Sequence, residues 1–259
     1  MQKPHIQPLT DFLIDYTAKM LSIGTYTARI DRCVSRIAKA YGYDVSLTIF
    51  VKHFTISVMD PLDNSIRRTY VKTSPPLPIN FHVISELSAL SWQIHDERFD
   101  LETATEHFAE ITSYKNNEFL KTLVFISLAN SAFCRLFGGD VGGIIAVFLA
   151  TFIGFYARFL LAKFKINLKL QYIVASFLAS FVAYLGVFFG FSSTPDATIG
   201  SSVLFLMPGI YMINSIFDIL NENILVGISR ATSTGILILC IAIGFYMTLS
   251  ISNIGVISG

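Results

Sequence analysis

Charge is scarce in this chain: Asp, Glu, Lys and Arg make up 14% of 259 residues, against 53% apolar side chains. An ordinary soluble protein carries about a quarter charged residues, so the composition points to a membrane. The charge nearly cancels, at +1, and no Lys/Arg cluster with interleaved aromatics occurs, so nucleic acid is not an expected partner. Cysteine is sparse too. Cys33, Cys134 and Cys240 lie far apart without CxxC spacing, which fits reduced thiols or small packing residues and implies no disulfide framework. The N-terminal "MQKPHIQPLTDFLIDYT" lacks the basic stretch, short apolar core and cleavage site of a secretory signal. GxSxG, Walker and GxGxxG sequences are missing, and the five histidines, His5, His53, His82, His95 and His107, include no HxxxH pair. No enzyme, cofactor or metal site is therefore expected.

What charge there is gathers in front. Residues 1–118 hold 12 of the 19 Lys and Arg and 14 of the 18 Asp and Glu. Within them, apolar residues recur at three-four spacing from Leu9 through Leu13, Tyr16, Met20, Ile23, Ile30, Val34 and Ile37 to Tyr41, which predicts one long amphipathic helix ended by Gly42. Gly24 inside it suggests close packing of another element. Alternation at Val45, Leu47, Ile49 and Val51, at Phe54, Ile56 and Val58, and over 66–71 predicts a three-stranded meander, with turns at Asp60-Pro61 and Asp63-Asn64. After the rigid "SPPLP" at 74–78, helices are predicted near 80–96 and 100–114. The expected domain 1–118 is a cytoplasmic α+β unit with helices on one face of a sheet.

Residues 119–259 predict five spans, near 119–137, 141–161, 169–191, 198–220 and 229–251, each about 20 residues and long enough for about 30 Å of hydrocarbon. Arg158, Lys163, Lys165 and Lys169 lie around the second loop, whereas "FSSTPDAT" carries no cation, so the basic loop belongs in the cytoplasm. Five crossings then leave the N-terminal domain inside and the C-terminus outside a multi-pass cytoplasmic (inner) membrane. Gly142, Ala146, Ala150 and Gly154 repeat every four residues, as do Ala175, Ala179 and Ala183, continued by Gly186 and Gly190. Such stripes let helices approach closely where lipid offers no hydrophobic incentive to associate.

The polar groups in these spans are the candidate transport path. Ser127, Asn130, Ser131 and Cys134 share a face of the first span, leading to Arg135 and Asp140; Asn214 and Asp218 lie one turn apart on the fourth. Arg135, Asp140, Asp218 and Arg230 either anchor helix ends or line a path, since ionised groups in mid-membrane cost about 2.5–3.5 kcal/mol each on insertion scales. Pro208-Gly209 in "LFLMPGIYMIN" interrupts the fourth span. Free carbonyls before such a break and free amides after it can meet a carboxylate or coupling ion, although a proline kink can also be purely geometric.

"LSIGTYTARIDRCVSRIAKAYG" (21–42), "VSLTIFVKHFTISV", "LFGGD" (136–140), "LMPGIYMINSIFDIL" (206–220) and "GISRA" (227–231) together resemble the threonine/serine exporter family, in order and over nearly the whole chain. The resemblance implies a cytoplasmic domain joined to five-helix membrane units that export small hydrophilic metabolites. By resemblance, Gly24, Arg29 and Asp31 match the front-domain helix motif; Gly138, Gly139 and Asp140 match the first-loop motif; Pro208, Gly209, Asn214, Asp218 and Arg230 match the broken-helix motif. Single-chain members carry two five-helix units, whereas this chain has one. It is similar to the large subunit of the split form, which works with a short membrane-only partner and is associated with succinate export.

The expected fold class is thus an α+β cytoplasmic domain followed by an all-α membrane domain of five transmembrane helices. The expected function is a subunit of a secondary exporter for small carboxylates, most concretely a dicarboxylate such as succinate. Its expected partners are membrane lipid, the solute, and a second small membrane subunit or further copies of itself. The alternatives are a threonine/serine exporter, a membrane-anchored cytoplasmic enzyme or sensor, and a homo-oligomeric channel.

Overall fold

The computed structural model describes residues 3–63, 65–75, 77–114 and 118–252. Asn64 of the expected turn, Pro76 of the SPPLP run, residues 115–117 near the expected boundary and the C-terminal residues 253–259 lie outside the described residues. Two compact units emerge: Met1–Lys115 with Ile210–Ala231, and Asn116–Gly209 with Thr232–Gly259. The expected fold class is corrected here. Helix dominates, with ten α-helices and one small three-stranded sheet among the described residues, and no distinct cytoplasmic domain is followed by a membrane domain. Residues 210–231, read from sequence as membrane part, cluster with the N-terminal residues because their buried polar side chains bond to that segment's backbone.

In the first unit, the stripe predicted to make one helix over 9–41 makes two, α1 (Ile6–Ser22) and α2 (Thr27–Ala40). Gly24 is the cause. It adopts a left-handed φ of +85°, and the N–H groups of Gly24 and Thr25 turn back to the carbonyls of Leu21 and Met20, both at 3.2 Å, closing α1. The stripe resumes on α2, so Leu9, Leu13, Tyr16 and Met20 of α1 and Ile30, Val34 and Ile37 of α2 are all fully buried. Burying each large apolar side chain contributes about 1.5–3 kcal/mol. Strands β1 (Asp44–Ile49), β2 (His53–Met59) and β3 (Arg67–Thr73) form the antiparallel meander that the alternation predicts, in the order β1-β2-β3. Phe54, Ile56 and Val58 of β2 enter the core. Helices α3 (Phe81–Asp96) and α4 (Leu101–Ser113) follow, with Leu87, Leu90 and Ile94 of α3 fully buried and the Tyr16 hydroxyl donating to the Leu87 carbonyl at 2.6 Å.

The second unit contains α5 (Phe119–Leu136), α6 (Val141–Lys163), α7 (Leu168–Phe188), the short α8 (Pro195–Ser201) and the later turns of α10 (Ile224–Ser252). Helices α5, α6, α7 and α10 are long and apolar enough to cross a membrane; the bent pair Pro195–Leu206 and Gly209–Leu220 makes a fifth if counted as one span. Large apolar side chains such as Leu120, Phe125, Ile145, Leu149 and Leu239 remain exposed, as a lipid-facing surface requires. The small-residue stripes meet one another. A Cβ on Gly186 would lie 2.7 Å from that of Ala146, and one on Gly154 would lie 2.9 Å from that of Ala179, so α6 and α7 approach to a distance that larger residues forbid. Side-chain hydrogen bonds add to this contact. Ser176 donates to the Ile241 carbonyl at 2.7 Å, and the Ser180 and Thr248 hydroxyls pair at 2.7 Å, tying α7 to α10.

Candidate functional site

The helix expected over 198–220 is interrupted where Pro208 stands. After α8 and a 3-10 turn at Leu204–Leu206, Met207 is extended (φ −58°, ψ 122°), as the residue before a proline prefers, and α9 (Gly209–Leu220) begins. The Gly209 N–H donates to the Met207 carbonyl at 2.9 Å. Pro208 is buried, while Gly209 stands at an open surface where an added Cβ would touch nothing within 4 Å.

On α9, Asn214 and Asp218 share a face, and both turn toward the corner between α1 and α2. The Asn214 amide donates to the Gly24 carbonyl at 2.8 Å. Asp218 is fully buried; one carboxylate oxygen accepts from the Thr27 N–H at 2.8 Å and the other from the Arg230 guanidinium at 2.6 Å. Arg230 also donates to the Thr25 carbonyl at 3.4 Å. The Tyr26 and Phe217 rings stack with centroids 5.3 Å apart beside this network. A buried carboxylate without a cation would be strongly disfavoured, so in this conformation Arg230 offsets the cost of burying Asp218. Arg230 reaches its partner because α10 turns back sharply after Glu222 (φ +65°) and packs on α9 at Gly227, where an added Cβ would lie 2.9 Å from the Ile219 nitrogen and the Ser215 carbonyl.

Gly24, Asn214, Asp218 and Arg230, distant in sequence, thus come together. Arg29 and Asp31 of the same front motif do not join them. The Arg29 guanidinium lies 5.8 Å from the centre of the Tyr26 ring, and Asp31 is exposed on α2. Sequence reasoning missed Thr25, Thr27, Phe217 and Gly227. Two of them act through their backbone, which leaves no side-chain signature, and Gly227 lay unremarked within "GISRA".

In the second unit the polar face of α5 is buried. Asn130 donates to the Thr151 hydroxyl at 2.6 Å and to the Ser202 carbonyl at 3.4 Å, and Ser127, Ser131 and Cys134 line the same seam. Arg135 is exposed and donates to the Gly139 carbonyl at 3.2 Å. Asp140 caps α6. It accepts from the Gly143 N–H at 2.7 Å, the Ser192 hydroxyl at 2.8 Å, and the Ser193 N–H and hydroxyl at 2.7 and 2.9 Å. The Ser193 and Gly143 N–H groups, followed by the two serine hydroxyls, hold its carboxyl well below the usual carboxylate range. Asp140 therefore fastens the loop before α8 to the start of α6 as a carboxylate at neutral pH. Gly139 permits the turn, since an added Cβ would lie 2.8 Å from the Cys134 carbonyl.

Several membrane-length helices, one apolar helix broken at proline, and an ion pair buried between α9 and α10 define a multi-pass membrane protein of the transporter class. The chain belongs to the ThrE family, described as "Putative threonine/serine exporter", whose model matches residues 11–252. Among its relatives is the "Probable succinate transporter subunit YjjP" of Escherichia coli (strain K12), 26% identical over 252 residues that cover 97% of each chain. The protein of the same name from Klebsiella aerogenes is 24% identical over 249 residues, covering 96% of this chain and 95% of that one. No solved structure matches the chain.

Proposed function

We propose that this chain is one subunit of a secondary exporter for small carboxylate metabolites, with succinate as its solute. The buried Asp218–Arg230 pair beside the interrupted helix carries this reading, because a membrane segment keeps such groups where they meet a solute or an ion. The family supports export, and the names of the two relatives support both succinate and a role as one subunit among several. The candidate path residues are Asn130, Arg135, Asp140, Pro208 and Gly209 in one unit and, taken separately, Asn214, Asp218 and Arg230 in the other. The second subunit is a short membrane-only protein of the same family. Lys163, the last residue of α6, and Lys165 just beyond it support a cytoplasmic position for that loop and for the N-terminal residues.

Threonine/serine export is the second reading, favoured by the family description. Efflux from loaded vesicles separates the two. Vesicles holding this chain with its small subunit are loaded with labelled succinate, threonine or serine, and the expected result is succinate efflux that needs both subunits. Threonine or serine efflux without succinate would favour the second reading; movement of none of the three, with the protein folded and inserted, would overturn both.

A further inference from the structure

The Asp218 carboxylate sits in surroundings that would suit a carboxylate from outside. It accepts from the guanidinium of Arg230 and from the Thr27 N–H, which opens the 14-residue helix α2, so a cation and a helix N-terminus converge on one anion. The Thr25 and Thr27 hydroxyls are buried without a hydrogen-bond partner. Those two residues also contact the pair through their backbone. Buried hydroxyls are nearly always satisfied in native proteins, so two orphans beside one ion pair mark polar capacity that Asp218, tethered to α9, does not use. The two charged partners differ in access. The Arg230 side chain retains 15% exposure and that of Asp218 none, which makes the guanidinium the reachable member.

We infer that Arg230, the Thr27 N–H and the Thr25 and Thr27 hydroxyls form a carboxylate-binding site that Asp218 fills in this conformation, and that a solute carboxylate binds there by displacing it. This rests on the exporter reading and adds how the solute is held. One guanidinium fork serves one carboxylate at full strength, so solute and Asp218 compete. Displacement also breaks the link from Asp218 to Thr27, one of the ties between α9 and the α1–α2 corner beside the Asn214–Gly24 bond and the Tyr26–Phe217 stack. Apparent affinity falls by the fraction of time the site is open, so an internal plug in place 90–99% of the time weakens binding by about tenfold to a hundredfold.

The test is binding of labelled succinate, with neutral succinamide as control, to the full chain in lipid nanodiscs. Asp218→Asn keeps the shape and an acceptor for the Thr27 N–H while removing the competing charge, and is expected to lower the succinate Kd by about tenfold or more. Asp218→Glu, which keeps a carboxylate, should bind no more tightly than the wild type, and Arg230→Gln should lose succinate binding. Unchanged or weaker binding in folded Asp218→Asn would overturn the site and leave the pair as a brace. If Asp218→Asn does not insert, the Thr25→Val, Thr27→Val double variant decides: weaker succinate binding supports the site and unchanged binding overturns it. Succinate efflux by the wild type is measured in parallel. Efflux without tighter binding in Asp218→Asn removes this site alone, whereas tighter binding without efflux removes the exporter reading alone.

Discussion

Asn214 of α9 donates its side-chain amide to the backbone carbonyl of Gly24 at 2.8 Å, across 190 positions of sequence. A residue just past the helix break thereby closes the corner between two N-terminal helices. Replacing it removes the donor and leaves a carbonyl short of its partner, which costs about 1–3 kcal/mol when the group is buried. Asn214→Ala should lower the unfolding temperature in detergent, and Asn214→Asp should lower it further, because an acceptor would then face an acceptor. Equal stability in all three proteins would show that the bond carries nothing.

The corner itself depends on glycine. At φ +85° a side chain costs about 1–2 kcal/mol, and a Cβ on Gly24 would also lie 2.9 Å from Cγ1 of Ile79. Gly24→Ala is expected to destabilise the protein by at least that amount. Gly200 of α8 is the control: an added Cβ there meets nothing within 4 Å, and alanine favours helix, so Gly200→Ala should be neutral or stabilising. Thermal unfolding of the two variants side by side checks both statements.

Helices α6 and α7 should tolerate no enlargement where their small residues meet. Gly186 faces the Cβ of Ala146, which has no flexible end to move aside, and Gly154 faces Ala179 and the Ala175 carbonyl. Gly186→Val and Gly154→Val should each cost about 1–3 kcal/mol through overpacking. Size-exclusion profiles after extraction at rising temperature would show the folded peak lost earlier than for the wild type.

Asp140 gives a pH dependence with a definite sign. Its folded-state pKa lies below that of an unfolded aspartate, near about 3.9. The clamp's contribution is therefore fully present above about pH 5 and declines as the pH falls toward the folded value. Asp140→Asn lacks this contribution at every pH. The gap in unfolding temperature between wild type and Asp140→Asn should be constant from about pH 7 to 5 and should narrow at about pH 3. A gap that stays unchanged at the lowest pH would contradict the clamp.

Much of this architecture is legible in the residues. Apolar runs of membrane length mark α5, α6, α7 and α10, two-residue alternation marks the β-meander, and Pro208 marks the break. Two features are not legible, for physical reasons. The α1–α2 corner hides because the apolar stripe runs through it at a spacing that a continuous helix would also show, and only the left-handed Gly24 betrays the turn. The grouping of residues 210–231 with the N-terminal unit hides because its main contacts go to the Thr27 N–H and to the Thr25 and Gly24 carbonyls, which every sequence offers. Asp218 and Arg230 stood out as costly charges in apolar runs. That they pair with each other could not be read from a separation of twelve residues across a helix end.

The most direct measurement is the initial rate of succinate efflux from loaded vesicles, comparing wild type with Arg230→Gln at matched amounts of folded, inserted protein and with the small subunit present. The expected result is rapid efflux from the wild type and a fall of at least about tenfold in the variant, the loss of one charge-assisted contact worth about 1.4 kcal/mol or more. Efflux at the same rate from both would place the solute elsewhere and contradict the role given to the buried pair.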